Sequence, residues 1–200
     1  MSIRLKFVML GNSTVGKTSL VNRCLVNRFL PYTETTIGAS FNTKGIEIDN
    51  NKVRMDIWDT AGQERYRSLI PLYYRNADCI LLCIDLSNEI NFNDDIEWWL
   101  NEVNSNNNND KKILKIVGTK SDIKSEEVEE SLKEYCKEKN IDYIESSSKN
   151  NINIDLVFRK TAEEYYMKSG IGIGEKQNND NVLKSTKSSN MSWMSYCSIS

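Results

Sequence analysis

The sequence predicts a doubly wound α/β domain, with a mostly parallel six-stranded sheet and one antiparallel edge hairpin strand. Three observations carry that expectation. Apolar strand-like runs alternate with segments of helical spacing along most of the chain. Residues 78–86, D-C-I-L-L-C-I-D-L, form a nearly unbroken apolar run, as in a central parallel strand covered on both faces. Residues 11–18 follow an apolar run and open a helical one with the spacing G-x-x-x-x-G-K-[ST].

Ile3–Leu10 reads as a buried strand, and residues 18–27 as a helix with Leu20, Val21, Cys24 and Leu25 on one face. Residues 29–38 lack periodicity and read as a loop. Two strands follow, 41–48 and 53–58, joined by the turn composition Asp49-Asn50-Asn51. After the central run, Ile96, Trp99, Leu100 and Val103 have helical spacing, and 113–117 is another strand. Ser125 opens a helix bearing Val128, Leu132, Tyr135 and Cys136, with Glu126 and Glu127 in the first turn, where the helix dipole favours them. Residues 141–144 form the last strand and 154–166 the last helix, stopped near Gly170. Residues 104–110, with four consecutive asparagines, read as a low-complexity loop without a role. Residues 1–168 are expected to fold as the domain. Residues 169–200, polar and rich in Ser and Asn, are expected to form a flexible tail.

Composition removes several classes of function. The chain has no histidine, which excludes triad hydrolases and the common zinc sites. A net charge of −2 gives no reason to expect a nucleic-acid partner. No stretch reaches the ~20 apolar residues of a membrane helix. The first residues lack the apolar region of a signal peptide. Of the five cysteines, Cys24, Cys79, Cys83 and Cys136 sit in apolar contexts that read as core, which fits a reducing, cytoplasmic compartment.

The glycine-spaced segment has a mechanism. Gly11 and Gly16 let the backbone fold around an anion, so that the N–H groups of Ser13, Thr14, Val15, Gly16, Lys17 and Thr18 can meet phosphate oxygens. The dipole of the following helix favours the same charge. Lys17 supplies a cation for the β- and γ-phosphates, and the Thr18 hydroxyl suits Mg2+. Asp59-Thr60-Ala61-Gly62-Gln63-Glu64 follows a strand. Asp59 is placed to hold the metal through water, Gly62 to bring its N–H to the γ-phosphate, and Gln63 to orient an attacking water. Thr119-Lys120-Ser121-Asp122 follows another strand, and the Asp122 carboxylate can accept from the N1–H and 2-amino group of guanine. Adenine has no donor there and would leave a buried carboxylate unpaired. Alone this short motif also reads as a solvated turn; in register with the other boxes it reads as a base site.

These boxes in this order resemble the Rab family of Ras-superfamily small GTPases, over residues 3 to about 168. Residues 58–69, W-D-T-A-G-Q-E-R-Y-R-S-L, are similar to the Rab signature around the second switch. Tyr73-Tyr74-Arg75-Asn76-Ala77 is similar to Y-Y-R-G-A, with Asn76 in place of glycine. Thr36-Ile37-Gly38-Ala39-Ser40-Phe41 resembles the first switch of the endosomal branch.

The resemblance implies a P-loop small G domain that binds GTP and GDP with Mg2+ and hydrolyses GTP slowly. It implies that Thr36 meets the metal and the γ-phosphate, that Phe29 packs on guanine, and that Ser147-Ser148-Lys149 brings a backbone N–H to the base. Ser19 and Lys120 belong to the same nucleotide contacts. Ser13 would crowd the γ-phosphate. Thr119 stands where most relatives have Asn, Ser148 where they have Ala, and Thr14 where Gly is common. From the residues alone, Phe41, Trp58 and Tyr73 read equally as core aromatics or as a surface row; the resemblance implies an effector-recognising triad.

The implied partners are an exchange factor, a GTPase-activating protein, effectors and a prenyl-binding escort or dissociation inhibitor, the chain itself being a monomer. Cys197-Ser198-Ile199-Ser200 fits C-a-a-X and predicts a prenyl group on Cys197. Lys176, Lys184 and Lys187 are too sparse for a polybasic patch, so attachment to the cytosolic face of endomembranes, endosomal by the first switch, is expected to be reversible. The expected function is a switch in vesicle traffic. A hydrolysis-deficient nucleotide-binding scaffold, another Ras-superfamily branch and an ATP-using enzyme are the alternatives.

Overall fold

Hydrophobic alternation along the central run sets the layers of the fold. In the computed structural model, which describes residues 3–32 and 34–171 apart from the side chains of 92–94, six strands form one sheet. They are β1 (Ile3–Leu10), β2 (Ala39–Ile48), β3 (Asn51–Thr60), β4 (Cys79–Asp85), β5 (Ile113–Thr119) and β6 (Asp142–Glu145), in the order β2-β3-β1-β4-β5-β6. β2 pairs antiparallel with β3 at one edge, and the other pairings are parallel. This is the fold class that the sequence predicts.

Every residue of β4 is buried, and its side chains divide by parity. Cys79, Leu81 and Cys83 join the core beneath α1 (Lys17–Val26) and α5 (Thr161–Ser169). Ile80, Leu82 and Ile84 join the opposite core beneath α2 (Ile70–Tyr74), α3 (Trp98–Asn106) and α4 (Glu126–Glu138). Cys24, Cys79, Cys83 and Cys136 are all buried free thiols. Ile96, Trp99, Leu100 and Val103 are all buried, as their spacing predicts. No helix among the described residues is long and apolar enough to cross a membrane.

Several boundaries differ from the sequence reading. β3 continues through Asp59 and Thr60, which pair with Ser40 and Ala39, so the second box starts inside the strand. The β2–β3 turn is Asp49-Asn50 alone, both at positive φ as in a type I′ turn, and Asn51 already pairs with Ile48. Residues 64–77, to which no element was assigned, hold a 3-10 segment (Glu64–Leu69) and α2. Wide π turns, Phe92–Glu97 and Leu156–Lys160, precede α3 and α5. Ser125 caps α4 without a side-chain bond; the acids Glu126, Glu127 and Glu129 in its first turn suit the dipole instead. Cys197 and the tail lysines lie outside the described residues.

Asparagine acts as the backbone punctuator of this chain. Asn27, Asn50, Asn76, Asn140, Asn151 and Asn153 all adopt positive φ, where a short polar side chain lowers the penalty that other side chains meet. Asn76 at φ 55 thus fills a left-handed position that suits the glycine of its relatives.

The asparagine-rich segment that reads as a loop without a role has one. Residues 104–106 belong to α3, and the buried Asn107 donates to the Tyr74 and Ala77 carbonyls at 2.8 and 3.3 Å. Asn109 donates to Asp78 Oδ1 at 3.1 Å and to the Tyr165 hydroxyl at 3.2 Å. The segment therefore ties the end of α3 to the turn that feeds β4. Asn107→Ala is expected to destabilise the domain by about 2 kcal/mol, because buried carbonyls lose their donor. Thermal denaturation should show a Tm lower by roughly 4–8 °C. The exposed Asn108→Ala should leave Tm in place.

Candidate functional site

The carboxyl ends of β1, β3, β4 and β5 lie side by side, the place where open α/β sheets bind ligands. β1 delivers the chain into a turn that only glycine-rich backbone can make. Gly11 and Gly16 have φ of 128 and 99, and a Cβ on Gly11 would collide with the Cys83 carbonyl. Thr14, at φ 64, holds a β-branched side chain in the left-handed region, a strained position. α1 begins at Lys17, so the N–H groups of its first turn face the mouth of the turn.

Lys17 is buried, and its Nζ donates to the Gly11 and Asn12 carbonyls at 2.8 and 2.7 Å. An ammonium has three donors, so one remains for a ligand oxygen. Gly62 closes over the same spot, where any Cβ would strike the Asn12 carbonyl and the Lys17 amine. The second box thus touches the first through bare backbone.

Thr18, Asp59 and Thr36 come together beside it. The Thr18 hydroxyl donates to Asp59 Oδ2 at 2.7 Å and lies 3.0 Å from the Thr36 hydroxyl. Asp59 is buried, and its Oδ1 has no hydrogen-bond partner. Burial pushes the Asp59 carboxyl up, against the Thr18 bond and the Lys17 charge. Burial also pushes the Lys17 ammonium down, against Cys83 and Asp59. Both charged forms are therefore disfavoured, and each is relieved by a ligand of opposite sign. An unpaired carboxylate oxygen beside two hydroxyls is a hard-oxygen donor set that fits magnesium.

At the other end, Asp122 accepts from the buried Ser147 hydroxyl at 2.6 Å on Oδ1, and Lys149 Nζ lies 3.7 Å from its Oδ2. Of the nucleotide contacts expected from sequence, all but Val15 and Ser147 line one cavity of ≈ 430 Å³. Val15 and Ser147 act behind it. The Thr119 hydroxyl shares its one hydrogen between the Val15 carbonyl at 2.5 Å and the Ile84 carbonyl at 3.0 Å. Thr119 therefore pins the phosphate turn to β4 while it also lines the cavity.

Gln63 does not line the cavity; its Oε1 accepts from Arg65 Nε at 2.6 Å. Phe41, Trp58 and Tyr73 form a continuous row, with ring centroids 4.9 and 5.5 Å apart. Phe41 is 46% exposed, while Trp58 and Tyr73 are half-buried and pack against the core, so the row runs from the core edge to the surface.

Two functional residues escaped the sequence reading. Arg23, on α1, donates to the carbonyls of Ser148 (2.7 Å) and Lys149 (3.0 Å) and so turns that loop's N–H groups away from itself. Nothing in its sequence neighbourhood points to this. Asp85 accepts from Lys120 Nζ at 2.5 Å, from Ser87 at 2.7 Å and from Asn88 at 2.8 Å. Its signal was a lone carboxylate at the end of the central run.

A buried lysine in a glycine-built turn at the head of a helix makes this a phosphate-loop nucleotide-binding protein. Residues 6–167 match the family model described as the Ras family. The chain is 41% identical over 161 residues to "GTP-binding protein yptV5" of Volvox carteri, covering 77% of this chain and 78% of that one. It is 37% identical over 164 residues to "Ras-related protein Rab-5B" of Plasmodium falciparum (82% and 78%). With "Ras-related protein SEC4" of Saccharomyces cerevisiae it shares 37% over 181 residues (87% and 83%). The chain belongs to the Ras family, as a small GTPase of its Rab group.

Burial raises the Asp85 carboxyl, but the bonds from Lys120 and Ser87 outweigh it, and the group titrates below its ordinary value. A depressed carboxylate adds stability above its unfolded pKa, and that stability is lost as pH falls through the folded value. Asp85→Asn is expected to lower stability near neutral pH by about 2 kcal/mol. In thermal melts the gap to wild type should narrow as pH drops below about 4.

Proposed function

We propose that the cavity binds the magnesium complex of GTP or GDP, hydrolyses GTP slowly, and drives a Rab-type switch in vesicle traffic. One observation carries this reading: a single cavity joins the buried Lys17 and the Thr18 and Thr36 hydroxyls, with Asp59 bonded behind Thr18, to Asp122, held by Ser147. The phosphates fit the first end and guanine the second. Adenine offers Asp122 no donor, and a carboxylate left unpaired there disfavours it.

Each side chain has a part in the chemistry. Lys17 and the N–H groups of residues 13–18 hold the β- and γ-phosphates and steady the charge that builds on them in transfer. Thr18, Thr36 and Asp59, the last through water, would hold the metal. When bound, magnesium neutralises the β- and γ-phosphate oxygens. Gly62 brings its main-chain N–H to the γ-phosphate, because nothing bulkier fits against Asn12 and Lys17. Gln63 orients the attacking water once it exchanges Arg65 for the nucleotide. Ser13 crowds the γ-phosphate, which fits a low intrinsic rate and an activating protein that supplies an arginine.

The same proposal covers partners and place. Phe41, Trp58 and Tyr73 present ring faces to effectors, beside Ile37 and Leu72, which are 79% and 68% exposed. Phosphate contacts at Thr36 and Gly62 order or release the segments on either side of that row. Exchange factor, activating protein and a prenyl-binding escort complete the cycle, and a prenyl group on Cys197 carries it on endomembranes, endosomal by the first-switch resemblance. Tagged wild type and Cys197→Ser should differ in location, with the variant spread through the cytosol.

Gln63→Leu is expected to slow single-turnover GTP hydrolysis on the order of ten- to a hundred-fold while GTP still binds. Hydrolysis at the wild-type rate would remove Gln63 from the water-orienting role. Thr18→Asn should abolish the magnesium dependence of GTP affinity, and GTP should displace a labelled nucleotide where ATP does not.

A further inference from the structure

We infer that Asp95, in the π turn before α3, and Trp99, in the first turn of α3, are positioning residues for Lys17. They grip the Asn12 side chain at both ends, and Asn12 carries a carbonyl that holds the lysine. The inference rests on the reading of residues 11–18 as a phosphate loop and assigns α3 a place in it.

The Asn12 amide is satisfied from opposite directions. Its Nδ2 donates to Asp95 Oδ1, a bond between partly buried groups. Its Oδ1 accepts from Trp99 Nε1 at 3.4 Å. A carboxylate can only accept and an indole N–H can only donate, so the amide has one orientation that satisfies both. Asp95 lies in the π turn that leads into α3 and Trp99 in the first turn of α3, and both side chains reach the Asn12 amide. Trp99 is 1% exposed and packs in the core, which fixes the donor. Asp95 is fixed too, since its Oδ2 accepts from the Asn91 N–H at 2.7 Å.

The main chain of Asn12 meets the reaction centre directly. Its carbonyl accepts from Lys17 Nζ at 2.7 Å, and the same carbonyl is where Gly62 makes its closest approach. Rotation of the Asn12 peptide would move one of the two dipoles that hold the buried ammonium. That peptide joins Asn12 to Ser13 and turns about the Asn12 Cα–C and Ser13 N–Cα bonds, the two soft torsions on either side of it. A side-chain clamp from a packed helix is what removes that freedom. The wide π turn through residues 92–97 lies where Asp95 meets the loop, and such turns are often found at functional sites.

The test is release of a fluorescent GDP from the full chain at saturating magnesium. Asp95→Ala and Asn12→Ala should each speed release roughly three- to ten-fold, the loss of one charge-assisted hydrogen bond. The double variant should release no faster than the faster single one, because both changes break the same link. Asp95→Asn keeps one acceptor for the Asn12 amide but sets an NH2 against the Asn91 N–H, so its release rate should fall between wild type and Asp95→Ala. Wild-type release in Asp95→Ala, or effects that multiply in the double variant, would overturn the inference. Should Asp95→Ala not fold, Trp99→Phe keeps a core ring and loses the N–H. It should give a smaller increase that also vanishes on the Asn12→Ala background, and an unchanged rate would count against the clamp. If wild type binds no fluorescent GDP, the phosphate-loop reading itself falls, and this inference with it.

Discussion

The Lys17 ammonium lies against two main-chain carbonyls, with little water to stabilise it, and its free energy there depends on what replaces that water. Carbonyl dipoles supply part of the compensation, and an anion supplies the rest. The tightness of the surrounding backbone follows from this. Gly62 has no room for a side chain because one would fill the space of the Asn12 carbonyl and the Lys17 amine, and Gly11 has none because one would meet the Cys83 carbonyl. Asp59 poses the mirror problem, a buried carboxylate with one oxygen unpaired. A lone anion or a lone cation would relieve only one of them. A polyphosphate with its metal relieves both, which is why the phosphate and metal corners sit side by side.

The base end is tied to this centre by structure and not by chain proximity. α1 starts at Lys17 and Thr18 and carries Arg23 to the carbonyls of residues 148 and 149. Thr119 ties the phosphate turn to β4 and β5 through two carbonyls. On the far side, Arg67 lies 4.4 Å over the Trp98 ring, so the segment after Gln63 rests on α3 while the aromatic row faces outward. The cavity and the aromatic row are thus separated by two short segments that reach the cavity at Thr36 and Gly62.

Much of this was legible in the chain itself. The alternation of runs and the all-apolar β4 dictated layers and sheet class, because burial on both faces leaves no room for polar alternation. The spacing of Gly11, Gly16, Lys17 and Thr18 dictated a phosphate site, because backbone freedom, a cation and a hydroxyl are needed at those intervals. Asp59 and Asp122 were visible as carboxylates at strand ends. The asparagines of 107 and 109 were not legible, since low-complexity polar sequence has no period and its partners, Tyr74, Asp78 and Tyr165, are remote in the chain. The π turns and the 3-10 segment were hidden for the same reason: they are set by packing more than by pattern.

What the sequence determined alone was therefore whatever depends on local backbone freedom and on burial period: strands, helices, the glycine turn and the chemistry of each box. Tertiary structure alone decided which groups share one oxygen or one carbonyl. It bonded Thr119 to the Val15 carbonyl, lined up Phe41, Trp58 and Tyr73, and set Asp95 against Asn12. Hydrogen bonds of ~3 Å between residues tens of positions apart depend on the path of the whole chain, and no window of sequence contains that path.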